Sequence, residues 1–411
     1  MMQALARSAA ARGGRPLRHL LALAVLWPAL VTAQPAVSPA ADAAFQPLPP
    51  LGVNPKGVTV SGLSSGGYMA AQFEVVHSAS LKGAAIVAAG PYGCSMGSVR
   101  TAALTCSCPY DTTDSSGPTG LWTAVARLSC TPVPALALAA RAMHAVEHSR
   151  RFIDEPRALK KHRVWLYSGD ADPVVDPMIV DGLQAFYASA GVPDKQVRRV
   201  KGPKAGHGMP IPVHGDCEIT RSPYLNGCNI DGAGELLKWL YNKPRAQPGT
   251  AQAGALKPFD QTPYRQSAVF DGLDRTGWVY IPQRCEIPGA HCQLHVAFHG
   301  CEQGQSFPAN GVPGATPYGT VFVEQAGYNR WAESLGMIVL YPQVLPSSEG
   351  SMDAPFRFNP KGCWDFWGYT SPMGDASLFS SEPPFARKDA PQIKAIKAMI
   401  DALMQPPVIS R

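Results

Sequence analysis

Charge is scarce in this sequence: Asp, Glu, Lys and Arg make up 16% of 411 residues, against 45% hydrophobic ones. A chain of that composition buries a large core and is not globally disordered. Its formal net charge of +6 owes four charges to Arg7, Arg12, Arg15 and Arg18. Without that opening segment, 32 basic residues face 30 acidic ones, a net of +2. Too little excess remains for a nucleic-acid footprint, so that partner class is excluded. Long apolar runs are also missing. The longest, Leu20 to Trp27, is stopped by Pro28, well short of the roughly 20 residues that span a bilayer. There is no internal repeat and no Gly-X-Y period, although Gly (39) and Pro (40) supply nearly a fifth of the chain. That excess points to many tight turns and argues against an all-helical protein.

The Arg-rich start, the apolar run and the small residues of Val31-Thr32-Ala33 together form a secretory signal over 1–33,. A Pro/Ala-rich leader follows over 34–49. All ten cysteines lie beyond the cut and are too scattered for zinc knuckles. In an exported chain an even number reads as disulfides. The expected destination is extracellular, with the periplasm as the alternative.

Gly57 to Gly62 is a β-branched run ending at glycine and reads as a short buried strand,. Similar runs recur at 83–89, 164–168, 197–200, 294–298 and 337–341, with helical patterns between several of them, clearest at 233–242, 327–335 and 391–404. The alternation predicts an α/β fold with a mostly parallel sheet flanked by helices, in one domain over 50–405. Residues 243–262, rich in Pro, Gly, Ala and Gln without periodicity, read as a connecting loop between two halves,.

Gly62-Leu63-Ser64-Ser65-Gly66-Gly67 matches G-x-S-x-G between that first strand and the helical pattern Tyr68 to Phe73. This is the context of a nucleophile elbow, where small neighbours let strand and helix approach around a strained serine. Ser64 is the candidate nucleophile, and the amide of Ser65 would face an oxyanion. In this fold class the acid and the histidine follow in that order on loops after later strands. The strand 164–168 leads into Gly169-Asp170-Ala171-Asp172-Pro173, and the strand 197–200 leads to Ala205-Gly206-His207-Gly208. Asp172 is the preferred acid, with Asp170 and Asp176 as competitors that could instead cap or turn the loop. His207 is the candidate base. His77, His144, His148 and His162 lack such a loop.

A second oxyanion amide normally comes from a His-Gly loop before the nucleophile. Nothing of that kind precedes Ser64. Leu294 to Phe298 followed by His299-Gly300-Cys301 has the expected form, more than two hundred residues too late. A circular permutation reconciles the order, with 265–405 as the usual first half and 50–242 as the usual second. The termini would then fall between the last helix and the nucleophile strand.

Four stretches now carry a specific resemblance: Val60 to Ala71; Ser222-Pro223-Tyr224 with Asn226-Gly227-Cys228-Asn229; His295 to Cys301; and Asn359-Pro360-Lys361-Gly362-Cys363-Trp364-Asp365. They resemble the extracellular poly(3-hydroxybutyrate) depolymerases of the permuted catalytic type, including the fungal single-domain members, over 50–405. The resemblance implies a secreted esterase for short-chain polyhydroxyalkanoates with Ser64, Asp172 and His207 as triad, Ser65 and Cys301 as oxyanion amides, and no cofactor or metal. Its partners would be the polyester surface and soluble hydroxyalkanoate oligomers, met by a monomer with no separate polymer-binding domain. Many bacterial relatives carry such a domain, and the fungal type has a tryptophan on the loop corresponding to 347–358, where this sequence offers Phe356 and Phe358.

Aromatic residues around the late glycine motif, Trp364, Phe366, Trp367 and Tyr369, could wall an apolar cleft or pack in the core. His299, Phe356, Trp364 and Trp367 are the candidate substrate contacts. The disulfides expected are Cys217–Cys228, Cys285–Cys292 and Cys301–Cys363, with Cys94–Cys106 and Cys108–Cys130 closing the shortest remaining loops; spacing alone does not decide them. Two other readings stand beside the esterase: a feruloyl or acetyl esterase of plant-wall carbohydrate, separable by the acid released, and a non-catalytic polymer-binding protein on a hydrolase fold, which would cleave no activated ester.

Overall fold

The computed structural model describes residues 45–107, 133–249, 254–266, 269–308, 311–350, 356–371 and 382–407. The signal segment 1–33 and most of the 34–49 leader lie outside the described residues. In chain order the strands of three or more residues are β1 (Val58–Leu63), β2 (Gly83–Val87), β3 (Arg163–Gly169), β4 (Val197–Gly202), β5 (Met209–Ile211), β6 (Leu225–Gly227), β7 (Ala255–Asp260), β8 (Thr276–Ile281), β9 (Gln293–Phe298) and β10 (Met337–Tyr341). The longer helices are α1 (Ser65–Val76), α2 (Ala135–His148), α3 (Pro177–Ser189), α4 (Gly232–Leu240), α5 (Tyr328–Leu335) and α6 (Pro391–Met404).

Eight of these strands form one sheet in the order β4-β3-β2-β1-β9-β10-β8-β7. From β4 to β10 every neighbouring pair is parallel, while β8 runs antiparallel to both β10 and β7. Strands β1, β2 and β10 are buried at every residue. Helices cover both faces of such a sheet, which is why its central strands read as continuous apolar runs. Counted from β7, the strands lie in space as first, second, fourth, third, then fifth to eighth, with the elbow after the fifth. The chain is thus a circularly permuted α/β-hydrolase fold. Its cut lies where the permutation requires, because the backbone N–H groups of Leu51 and Val53 donate to Leu403 O at 3.2 and 3.1 Å, beside the end of α6.

The connecting stretch 243–262 is shorter than the sequence suggests. β7 occupies its second half and pairs with β8 in register from Ala255–Ile281 to Asp260–Thr276. The segment hides as a loop because it is an edge strand. Lys257 and Pro258 suit an edge that must not recruit another strand, and they erase the alternation that marks an ordinary one.

The core also contains a buried histidine–carboxylate pair. His162, just before β3, places Nδ1 2.8 Å from Glu74 Oε1 on α1 and Nε2 2.8 Å from the Ser78 carbonyl, and Tyr187 of α3 donates to the other Glu74 oxygen. Glu74 and His162 are almost wholly buried. An imidazole facing two acceptors donates to both only when protonated. Burial alone would push its pKa down, but the hydrogen bond and charge of Glu74, helped by Ser78, hold it above the ordinary histidine value. Its contribution to stability is therefore full below about pH 6.5 and fades as pH rises through the folded value. Glu74→Gln, which leaves a buried charge without its partner, should lose about 3–5 kcal/mol in urea unfolding at pH 6 and visibly less at pH 9. An equal loss at both values would mean that His162 is neutral in the folded protein.

Candidate active site

Ser64 joins β1 to α1 with φ 56° and ψ −123°. A non-glycine residue in such a region stores on the order of 1–3 kcal/mol and persists only where its surroundings enforce it. Here they do. The Ser64 N–H donates to Val87 O at 2.9 Å, and its carbonyl accepts from Tyr68 N–H at 3.0 Å. A Cβ on Gly62 would lie 2.1 Å from Gly66 O, and one on Gly66 would lie 2.3 Å from His299 O. The elbow therefore closes only with glycine at both positions, and α1 begins in backbone contact with the end of β9.

The candidate acid and the candidate base stand on the loops that follow the neighbouring strands β3 and β4. Beyond β3 and β4, the N–H groups of Asp170 and Ala171 donate to Gly202 O and Ala205 O at 3.0 and 3.1 Å, fastening the two loops together. Asp172 is wholly buried. Its Oδ1 accepts from the Val174 and Val175 amides at 2.8 and 2.9 Å, and its Oδ2 lies 2.8 Å from His207 Nδ1. Both carboxylate oxygens are thus engaged, and the imidazole is held as the tautomer whose Nε2 carries the free lone pair. The competing acids do other work. Asp170 is exposed and accepts from the Lys204 amide, while Asp176 caps α3 through Met178 N–H at 2.8 Å. His207 is itself pinned, its amide donating to Thr220 Oγ1 at 2.8 Å. The Cys217–Cys228 disulfide braces the same loop.

At the end of β9 the Gly300 N–H donates to Gln303 Oε1 at 2.7 Å, and the Glu302 N–H donates to Lys361 O at 2.7 Å. Cys301 lies between them, bonded to Cys363. The backbone on either side of the candidate oxyanion amide is therefore fixed. His299 is fully buried, donates from Nδ1 to Gly300 O at 2.7 Å, and has its pKa pushed down by burial to about 4. It is a neutral brace for this turn. Trp364 has no exposed surface either, packing edge-on against Phe298 with ring centres 5.0 Å apart. His299 and Trp364 thus shape the site from behind and offer no face to a substrate. Trp367 keeps 6% exposure beside Phe366, and Phe356 is half-buried against Phe270.

Cys94–Cys106 and Cys285–Cys292 are also bonded; Cys108 and Cys130 lie outside the described residues. Among those residues no His, Cys, Asp or Glu cluster is arranged to hold a metal, and no helix is long and apolar enough to cross a membrane. Sequence reasoning missed Gln303, Glu302 and Tyr224, which fasten the Cys301 turn to the segment after His207. The only local signal was Gln303 three residues beyond Gly300.

No protein-family model matches the chain. It is 34% identical over 361 residues to the poly(3-hydroxybutyrate) depolymerase of Delftia acidovorans, covering 86% of this chain and 61% of that enzyme, so it spans less than two thirds of that relative's length. To the polyhydroxybutyrate depolymerase of Talaromyces funiculosus it is 33% identical over 347 residues, covering 82% of this chain and 89% of that enzyme. The chain belongs to the poly(3-hydroxybutyrate) depolymerase family. Two solved depolymerase structures, each 29% identical, align over 87% of this chain and 99% of theirs. One is a serine-to-alanine variant complexed with an R3HB trimer, with a TM-score of 0.69. The other is the enzyme from Penicillium funiculosum, at 0.68.

The Asp172 hydrogen bond fixes the orientation of the His207 imidazole, so a role in catalysis can be tested by substitution. Asp172→Asn should lower kcat on a small activated ester by roughly 10⁴, while Asp170→Asn changes it less than about threefold, as befits a surface substitution. The reverse ranking would place the acid two residues earlier.

Proposed function

We propose that the chain is a secreted serine esterase that hydrolyses poly(3-hydroxybutyrate) and its soluble oligomers. The observation that carries this reading is the buried Asp172–His207 hydrogen bond at the same C-terminal edge of the parallel strands as the strained Ser64 elbow, in a family whose relatives are named for that polymer. The trimer bound in the solved family structure supports a short hydroxybutyrate segment as the unit recognised.

Chemistry follows from the residues. His207 Nε2 takes the Ser64 proton as Oγ attacks the ester carbonyl, and Asp172 stabilises the imidazolium that forms. The amides of Ser65 and Cys301 receive the developing oxyanion, each donor being worth about 2.7–4 kcal/mol of barrier in comparable sites. His207 then protonates the departing alkoxide. Water repeats the steps on the acyl-enzyme and releases the hydroxy acid. None of these steps calls for a cofactor.

The catalytic domain itself meets the polymer. Met178, Val213 and Val312 are exposed apolar residues on the segments that follow β3, β4 and β9, the strands that lead to Asp172, His207 and Cys301. Apolar groups of this kind suit an apolar solid surface better than a soluble sugar chain. Export is supported by the signal segment and by the four disulfides of the described residues,.

A turbidity assay on a polyhydroxybutyrate suspension, with soluble trimer in parallel, tests the reading. Wild-type protein should clear the suspension and cleave the trimer, and Ser64→Ala should lose at least about 10⁴ of the rate while folding normally. Release of ferulate or acetate with an untouched polymer would favour the carbohydrate esterase, and inertness towards every activated ester would leave a binding protein.

A further inference from the structure

The base and the oxyanion turn stand four strand positions apart in the sheet, His207 beyond β4 and Cys301 beyond β9. Acyl transfer needs both in register around one carbonyl, to within a fraction of an ångström. The sheet sets the coarse spacing, but each group sits on a loop. One short path joins the loops directly, through Tyr224.

The Tyr224 ring stands edge-on to the His207 imidazole, centres 6.5 Å apart and planes at 77°. Its hydroxyl donates to Glu302 Oε2 at 2.7 Å, and Glu302 directly follows Cys301. The other carboxylate oxygen pairs with Lys361 Nζ at 2.6 Å, two residues before the disulfide partner Cys363. Lys361 is more than half exposed, so that ion pair adds little by itself. The bond from a phenol to a carboxylate is charge-assisted and stronger. A second strap runs alongside. The Pro223 carbonyl accepts from Gln303 Nε2 and from Tyr318 OH, both at 2.9 Å, while Gln303 Oε1 holds the Gly300 amide. Residues 223 and 224 therefore grip the oxyanion turn on both sides of Cys301.

We propose that Tyr224 is a positioning residue that sets the His207 imidazole against the oxyanion turn through its hydrogen bond to Glu302, an inference that rests on the hydrolase reading above. The hydroxyl acts through Glu302 and so fixes the distance between the His207 loop and the oxyanion turn. Such a role appears in turnover and not in ground-state binding.

Tyr224→Phe keeps the ring and removes only the hydroxyl. On a soluble hydroxybutyrate trimer it should lower kcat about tenfold, the effect of one charge-assisted hydrogen bond, with KM changed less than about twofold and the urea midpoint almost unmoved. Glu302→Leu should match it. Glu302→Gln, whose amide oxygen still accepts from the phenol, should recover most of the turnover. Wild-type kcat in Tyr224→Phe, a loss confined to KM, or equal losses in Glu302→Gln and Glu302→Leu would each overturn the proposal. If Tyr224→Phe did not fold, the contrast between the two Glu302 variants would decide it. A wild-type protein that hydrolyses no ester would instead defeat the hydrolase reading itself.

Discussion

The backbone approach between the first turn of α1 and the end of β9 is the constraint on which the site depends. A single added carbon at Gly66 would fall 2.3 Å from His299 O and 2.4 Å from Phe298 O, so the two segments can meet only there and only with glycine. That contact places the turn after β9 beside the Ser64 elbow. It also explains why a permuted chain order is tolerated. What the chemistry requires is β1 between β2 and β9, a demand on space; whether β9 precedes or follows β1 in sequence does not enter it.

Around that contact the catalytic face is mostly irregular chain, and covalent bonds do part of the work that secondary structure does elsewhere. Cys217–Cys228 braces the loop that carries His207, and Cys301–Cys363 braces the oxyanion turn. Cys94–Cys106 lies where Tyr68 of α1 donates to the Cys106 carbonyl. Loops of this kind lose much entropy on ordering, and crosslinks reduce that loss by constraining the unfolded chain. Cys285–Cys292 is different, closing the turn before β9 at the other end of that strand. Polar groups are used in the same way. Asp365 gathers the amides of Trp367, Gly368, Tyr369 and Thr370 on its two oxygens, so the aromatic loop behind the site is organised by one buried carboxylate.

Much of this was legible in the sequence, for reasons that differ by element. The central strands were readable because burial on both faces turns them into unbroken apolar runs, and the elbow because its glycines are demanded by contacts a few residues away. The permutation could be inferred from a His-Gly turn in the wrong place. β7 was not read, since an edge strand with Lys257 and Pro258 has neither alternation nor an apolar run; β8 was passed over although Trp278 to Ile281 is an apolar run. Asp172 was preferred over Asp170 and Asp176, but all three suit a loop after a strand; the tertiary placement is what buries Asp172 against His207. The burial of His299 and Trp364 was equally invisible, as both roles open to them need an aromatic ring there. Tyr224 with Glu302, and Pro223 with Gln303, bond across some eighty residues of chain, and no local pattern encodes such a bond.

The account stands or falls on Ser64 being the atom that forms the acyl-enzyme. Incubating the folded protein with an aryl or alkyl fluorophosphonate, which captures only an activated serine, followed by peptide mapping in a mass spectrometer, reads this directly. The account predicts one covalent adduct, on Ser64, with hydrolysis lost in step with labelling and both abolished in Ser64→Ala. An adduct on Ser65 or on any serine outside the elbow, or an active enzyme that remains unlabelled, would contradict it.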